Sequence, residues 1–140
     1  MRKDTSKMLE ELKCCSDFSR FYSENRDYTI KVALSEYLEQ LLVKYKVKKA
    51  DAIRRSELSE VYAYQIFSGI RVPERKKLLC LAVGMELTLE DVQCLLKCCG
   101  YAQLYVKNTF DCILIFGICK GLSVVQINYL LYDYGMETLG

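Results

Sequence analysis

Apolar residues recur every three to four positions along much of the chain, the spacing that places side chains on one face of an α-helix. Residues 29–45 show this pattern strongly, and it returns at about 48–56, 60–68, 74–83 and 89–99. A shorter stretch with the same spacing lies at 8–15. The chain has one proline and seven glycines and is rich in Leu, Lys and Glu. Together these features predict an all-α fold.

The C-terminal third contains an internal repeat. LTLEDVQCLLKCCGYAQL at 87–104 aligns without a gap with LSVVQINYLLYDYGMETL at 122–139. Upstream, KLLCLAV at 77–83 aligns with CILIFGI at 112–118 in the same register. A helical hairpin at 74–101 is therefore expected to recur at 109–135. Because two copies are too few for an independent solenoid, the second hairpin is expected to extend one core.

Residues with local roles mark the ends of the predicted helices. Ser59 and Thr88 stand just before apolar-periodic segments, where a hydroxyl can accept a bond from an unpaired backbone N–H group. Gly69, Gly84 and Gly100 stand just after such segments, where a left-handed residue commonly ends a helix. These positions predict two short helices, about 48–56 and 60–68, joined by a tight turn.

The second of these short helices has two contrasting faces. The positions expected near the core are Val61, Ala63, Ile66 and Phe67. The positions left for the outer face are Glu60, Tyr62, Tyr64 and Gln65. A helix with this division can present its polar and aromatic side chains to a partner.

The stretch from 47 to 73 resembles the lambda-repressor-like helix-turn-helix of the Cro and Xre-type bacterial regulators, and the similarity covers about residues 34–82. The positions of the family pattern are occupied, without a gap, by Lys49, Ala52, Ile53, Glu57, Leu58, Ser59, Ala63 and Gly69. Lys49 replaces the family's backbone-contacting Gln, and Glu57 replaces its turn glycine. A positive φ at Glu57 would strain the backbone by roughly 1–2 kcal/mol.

The resemblance implies a sequence-specific transcriptional regulator, a cytoplasmic bacterial protein that acts as a homodimer on a two-fold DNA operator. Its recognition helix, about 60–68, would enter the major groove. The base-reading residues would be Glu60, Val61, Tyr64 and Gln65. The phosphate contacts would be Lys48, Lys49, Tyr62, Ser68 and Arg71. The alternative is a protein-interaction adaptor that keeps the fold without reading DNA, because this helix contains no Arg, Lys or Asn.

The same reading divides the chain into three parts. Residues 1–29 are expected to form an N-terminal helical extension, 30–101 the lambda-repressor-like domain, and 102–140 a C-terminal helical hairpin packed on the same core. That hairpin is either a self-association or protein-partner surface or simply additional core. The apolar run 112–119 is too short to span a bilayer, and no secretory signal opens the sequence. No membrane partner is therefore expected.

Charge is distributed unevenly along the chain. Residues 43–77 contain ten Lys and Arg against four acidic residues, a net charge of +6 in a chain whose total is +2. The remainder therefore carries −4. A basic segment within an acidic chain is typical of a phosphate-binding face. Charge alone favours a solvated charged surface, and charge together with the helix-turn-helix pattern favours phosphate binding.

Cysteine usage and missing residue types exclude several kinds of site. The chain has eight Cys but no C-x-x-C motif and no His, so neither a zinc site nor a disulfide framework is predicted. Most cysteines are expected at apolar positions, as small hydrophobic side chains in a reducing cytosol. Neither metal nor cofactor is predicted.

The sequence also predicts no catalytic activity. It has no His, no Gly-rich loop after a strand and no serine in a nucleophile-elbow context.

Overall fold

A computed structural model describes residues 4–26 and 29–140. That part of the chain contains nine α-helices and no strand, so the predicted all-α class is confirmed. The helices are α1 (Thr5–Cys14), α2 (Phe18–Asn25), α3 (Ile30–Tyr45), α4 (Lys49–Ser56), α5 (Glu60–Phe67), α6 (Arg75–Gly84), α7 (Leu89–Cys98), α8 (Thr109–Lys120) and α9 (Val124–Asp133). Residues 1–3 and 27–28 of the predicted N-terminal extension lie outside the described residues.

One hydrophobic core runs through the helices from α3 to α9. Fully buried side chains from distant parts of the chain meet in it, including Leu38 of α3, Ile66 of α5, Leu78 of α6 and Leu114 of α8. Helix α4 packs on α6, α5 packs on α3, and α6 also contacts α7 and α9. The C-terminal hairpin α8–α9 thus adds to the core that holds α4 and α5 in place.

The hairpins α6–α7 and α8–α9 repeat the same local geometry. Thr88 caps α7 and Ser123 caps α9, each by accepting a bond from a backbone N–H group of the first turn. After these helices, Gly100 and Gly135 adopt φ values of 75° and 72°. The helical hairpin predicted to recur at 109–135 is therefore present.

The repeat extends to the segments that follow each hairpin. Oε1 of Gln93 accepts a hydrogen bond from the backbone N–H of Leu104 at 2.7 Å. At the equivalent positions, Oδ1 of Asn128 accepts one from the N–H of Leu139 at 2.8 Å. Both leucines are buried. In each hairpin, the segment after the second helix is therefore held by one amide side chain and one buried leucine.

Gly84 does not end α6 in the way that the sequence suggests. The helix includes Gly84, and the left-handed residue beyond it is Glu86, with φ 58°. At Gly84, α6 passes close to the backbone of α4. A Cβ atom there would lie 2.6 Å from the carbonyl oxygen of Ala52 and 2.8 Å from the backbone nitrogen of Ser56. The glycine is therefore required by the approach of two helices, which no local pattern reveals.

The cysteines are less buried than predicted. The buried ones are Cys80 and Cys99, the half-buried ones are Cys15 and Cys98, and the exposed ones are Cys14, Cys94, Cys112 and Cys119. All eight lie among the described residues, and none forms a disulfide. Burial raises the pKa of the Cys80 thiol to about 11. The expectation that most would occupy the core is wrong, because the outer faces of α7 and α8 also carry cysteine.

Helices α1 and α2 pack on each other at the edge of the molecule. Asp4 and Asp17 cap them by accepting bonds from backbone N–H groups. A groove of about 990 Å³ separates this pair from α3 and α7. Its walls include Met8 and Leu12 on one side and Tyr37 on the other. The N-terminal helices thus border the domain without being buried in its core.

Candidate nucleic-acid interface

The connection between α4 and α5 is three residues long and begins with a left-handed residue. Glu57 has φ 63° and ψ 11°, the conformation in which an L-residue is strained. The buried Ser56 supports it: its hydroxyl donates to the carbonyl of Ile53 at 2.6 Å and accepts from the N–H of Leu58 at 3.2 Å. Sequence reasoning missed this role of Ser56, although its position just before the expected turn was a usable signal.

Glu57→Gly is expected to raise the free energy of unfolding by up to about 1 kcal/mol. Glycine relieves the left-handed strain of roughly 1–2 kcal/mol, but its larger freedom in the unfolded chain offsets part of that gain. Urea denaturation measures the change. The control is Arg55→Gly, in the last turn of α4, which is expected to destabilise by up to about 1 kcal/mol. Equal losses in both variants would contradict a strained turn.

Helix α5 is held firmly on one side and open on the other. Ser59 caps its first turn by accepting from the N–H of Tyr62 at 3.3 Å. Its inner positions Ala63, Ile66 and Phe67 are buried. Its exposed positions are Glu60, Val61, Tyr64 and Ser68, which follow one helical face. We call these four residues the open face of α5.

Val61 belongs to this open face and not to the core. It is 71% exposed, so the expectation that it lies near the core is wrong. This exposure is what a base-reading residue requires. An apolar residue type does not by itself decide which face of a short helix is buried. The packing of α5 on α3 and the rest of the core decides it: Ala63 and Ile66 are fully buried, whereas Val61 is not.

The far end of α5 is fixed from α3. The Ser35 hydroxyl donates to the carbonyl of Phe67 at 2.7 Å. Gly69 follows with φ 81°, as the sequence predicts, and the β-carbon of Ser35 lies 3.6 Å from where its Cβ would be. Ser59 thus caps the first turn of α5, and Ser35 attaches its last residue to α3, which limits the motion of the open face.

Gln65 and Arg71 form a pair at the edge of the open face. Arg71 Nε donates to Oε1 of Gln65 at 2.9 Å, and the backbone carbonyl of Gln65 accepts from the N–H groups of Ile70 and Arg71. The exposed Arg71 therefore lies beside the half-buried Gln65. The structure brings together one predicted base reader and one predicted phosphate contact.

Tyr62 lies deeper than the other predicted contacts. Its ring is half-buried against the core and lies 5.2 Å from the Arg71 guanidinium. Burial raises the pKa of the Tyr62 phenol, against the opposing effect of the Arg71 charge. The ring of Tyr62 therefore lies between the core and the Arg71 guanidinium, at the border of the open face.

The two lysines at the start of α4 differ in their surroundings. Lys48 is the exposed N-cap residue of α4 and makes no capping bond with its side chain. Lys49 Nζ lies 2.6 Å from Oε1 of Glu39 in α3 and 5.2 Å from the centre of the Phe67 ring. A phosphate that approached Lys49 would have to compete with this ion pair.

Other basic side chains of the 43–77 segment are engaged away from the open face. Arg54 pairs with Asp51 at 3.2 Å. Lys44 pairs with Asp91 at 2.9 Å, and the hydroxyl of Tyr45 donates to the same carboxylate. These two partners lower the pKa of Asp91. Only part of the positive charge of this segment can therefore attract a ligand to α5.

Comparisons with protein-family models, with curated protein sequences and with solved structures gave no match. None of the helices in the described ranges combines the length and apolar character needed to cross a bilayer. Within the same ranges, no group of three or more Cys, Asp and Glu side chains is arranged to hold a metal ion. The open face of α5, with Lys48 and the Gln65–Arg71 pair, is the candidate site.

Proposed function

We propose that residues 30–101 form a lambda-repressor-like helix-turn-helix domain that binds double-stranded DNA sequence-specifically and regulates transcription in a bacterial cytoplasm. Helix α5 enters the major groove in this proposal, and α4 lies across the DNA backbone. The observation that carries it is the state of α5. It is capped by Ser59, anchored by Ser35 and buried on one side, yet Glu60, Val61, Tyr64 and Ser68 stand open to solvent.

Rigid placement favours base reading over loose surface contact. A side chain reads a base edge only when its helix holds it in register with the groove. The two ends of α5 are held in different ways: Ser59 caps the first turn of the helix, and the hydroxyl of Ser35 joins its last residue, Phe67, to α3. The eight-residue helix is also short enough that its outer side chains all fall within one groove segment.

Gln65 is the residue of α5 best suited to hydrogen-bond a base. A glutamine amide pairs with adenine by accepting at its oxygen and donating from its nitrogen. Arg71 already donates to that oxygen and so orients the amide, and the oxygen keeps a second lone pair for adenine. Tyr64 and Ser68 add exposed hydroxyl groups, and Val61 can contact a thymine methyl.

Phosphate contacts come from the flanks of α5 in this proposal. Lys48, before α4, and Arg71, after α5, are both exposed, and the first N–H groups of α4 have no side-chain cap. Helix N-termini and cations both favour phosphate. In a homodimer on a two-fold operator, the two α5 helices would lie about 34 Å apart, one turn of DNA.

A second candidate function is that of a protein-interaction adaptor. The open face favours it in one respect: it carries no cation, Glu60 is exposed, and Val61 and Tyr64 leave 71% and 46% of their surfaces in solvent. Such a face could pack on an apolar protein surface. Salt separates the two functions, since DNA affinity falls steeply with salt and apolar association does not.

Selection of duplexes from a random DNA pool, with purified full-length protein at two salt concentrations, tests the proposal. A recovered motif with two-fold symmetry supports a dimeric regulator and reports the half-site spacing. Recovery without a motif, lost as salt rises, contradicts specific reading by α5. No recovery at either salt concentration contradicts DNA binding altogether and favours the adaptor.

Two variants distinguish residues that recognise bases from residues that contact phosphate. Gln65→Ala is expected to relax base preference at one position, at a cost of about 1–3 kcal/mol. Arg71→Ala is expected to weaken binding to all sequences and to reduce the salt slope by about one, with some loss of preference because Arg71 orients Gln65. Titration of labelled duplexes at several salt concentrations measures both effects.

Arg54→Ala is the matched control for Arg71→Ala. It removes the same charge from an exposed position that pairs with Asp51, outside the open face. The control should leave affinity within about twofold and the salt slope nearly unchanged. If Arg54→Ala and Arg71→Ala weakened binding equally, the protein would be binding through its general charge.

A further inference from the structure

The two repeated hairpins differ on the face that they turn to solvent. On α9 the exposed positions Val125, Tyr129 and Tyr132 follow one helical face, and we call them the α9 stripe. The equivalent residues of α7, 35 positions earlier, are Glu90, Cys94 and Lys97. All three are exposed as well.

This difference is not required by the fold. The same hairpin architecture accepts Glu, Cys and Lys at these positions in its first copy, so neither folding nor the core requires Val, Tyr and Tyr in the second. The opposite side of α9 already meets the needs of the core through Val124, Ile127 and Leu131. A contiguous apolar surface without a structural duty marks an interaction site.

The α9 stripe is strongly exposed and shaped for contact. Its residues are 45%, 68% and 77% exposed in chain order. They line a shallow groove of about 370 Å³ together with Asn128 and Thr138. Tyrosine is enriched where proteins meet, because its ring buries a large area and its hydroxyl still finds a polar partner.

We propose that the α9 stripe is the central contact of a homodimer, in which the stripes of two copies pack across a two-fold axis. A two-fold interface brings a surface against itself, so any charge near its centre would face a like charge. The stripe and the two other residues of its groove are all uncharged, whereas the equivalent surface of α7 carries Glu90 and Lys97. The stripe can therefore face its own copy without opposing like charges.

The exposed area suits the centre of such a dimer interface. Two tyrosines and one valine exposed to this extent offer on the order of 350 Å² of contact surface. A standard interface buries roughly 800 Å² on each partner, with its energy concentrated in a few central aromatic residues. The stripe can supply this centre, and the polar groove residues Asn128 and Thr138 begin the rim.

A dimer of this kind is what the proposed function requires, since a two-fold operator needs two copies of α5. Its existence can nevertheless be measured without DNA. A protein that dimerises through the stripe and selects no DNA motif would overturn only the proposed function. A protein that selects DNA motifs as a monomer would overturn only the stripe interface.

Sedimentation velocity of the full-length chain over a wide concentration range, without DNA, tests the interface. The main variant is Val125→Glu, Tyr129→Ser, Tyr132→Lys, which gives the stripe a surface like that of α7. The wild type is expected to be a dimer, and the variant to dissociate at concentrations at least about 100-fold higher. Far-ultraviolet circular dichroism checks that the variant keeps its helices.

Two further variants keep the outcome interpretable. Tyr132→Lys alone should weaken the dimer in the same direction, and it serves if the triple variant fails to fold. Tyr22→Lys makes the same change at a 54% exposed tyrosine of α2 and should leave the dimer intact. A monomeric wild type, or a triple variant that dimerises as tightly as the wild type, would overturn the proposal. Equal weakening by Tyr22→Lys would overturn it as well.

Discussion

Replacing Asp111 with alanine is expected to lower the free energy of unfolding by about 3 kcal/mol, the lower end of the range for a buried ion pair that loses one partner. The Asp111 side chain is 8% exposed and binds Arg75 through both carboxylate oxygens, each at 3.0 Å. Arg75 is 26% exposed, so water can partly replace the lost carboxylate. This is why the lower end applies.

The position of Asp111 explains the size of the effect. Its Oδ2 also accepts from the backbone N–H of Tyr105, and Arg75 donates from Nε to the carbonyl of Ala102 at 3.0 Å. The pair therefore joins the start of α6, the segment after α7 and the start of α8. Removing the carboxylate weakens the attachment of the C-terminal hairpin to the rest of the core.

Thermal and urea denaturation measure this prediction, and a loss of about 3 kcal/mol corresponds to a fall in Tm of roughly 10 °C. The control is Asp51→Ala, which breaks the exposed pair with Arg54 and should cost at most about 1 kcal/mol. An Asp111→Ala variant as stable as this control would show that the buried pair does not hold the hairpin. A double-mutant cycle with Arg75→Ala isolates the coupling between the two side chains.

Gly84→Ala is the second substitution expected to destabilise the chain strongly, by about 2–3 kcal/mol. In most helix interiors the same change stabilises, by up to about 1 kcal/mol. Here the new Cβ would meet backbone atoms of α4, at 2.6 Å from Ala52 O and 2.8 Å from Ser56 N. Backbone cannot rotate aside, so α4 and α6 would have to separate, and overpacked cores lose about 1–3 kcal/mol.

Gly117→Ala is the matched comparison, because Gly117 is also a buried glycine within a helix. Its added Cβ would meet only the side chain of Ile127, at 2.5 Å and 2.7 Å from two of its carbons. That side chain can shift, so the loss should be smaller, and Ile127→Val in the same variant should recover part of it. Urea denaturation of Gly84→Ala, Gly117→Ala and the double variant Gly117→Ala, Ile127→Val compares their free energies of unfolding. If Gly84→Ala were as mild as Gly117→Ala, the contact between α4 and α6 would be looser than the distances at Gly84 indicate.

Much of the helical architecture was predictable because it depends on neighbours in the sequence. Apolar spacing located the helices from α3 to α7, and the internal repeat located α8 and α9. Ser59 and Thr88 were recognised as caps because a capping bond spans only three residues. The left-handed Gly69 and the recurrence of the hairpin followed from similarly local patterns. The candidate site was predictable to the same extent: Glu60, Tyr64 and Ser68 were named from the sequence and are exposed.

What the sequence alone determined is therefore the helices α3 to α9, the caps Ser59 and Thr88, and α5 as the candidate recognition helix. The tertiary structure decided which of its side chains are available. In the folded chain Val61 is exposed, Tyr62 is half-buried against the core, and Lys49 forms an ion pair with Glu39. The tertiary structure also explained Gly84 by the approach of α4, and it left the α9 stripe in solvent. Burial, ion pairing and close packing join residues that are distant in the chain, so no local pattern encodes them.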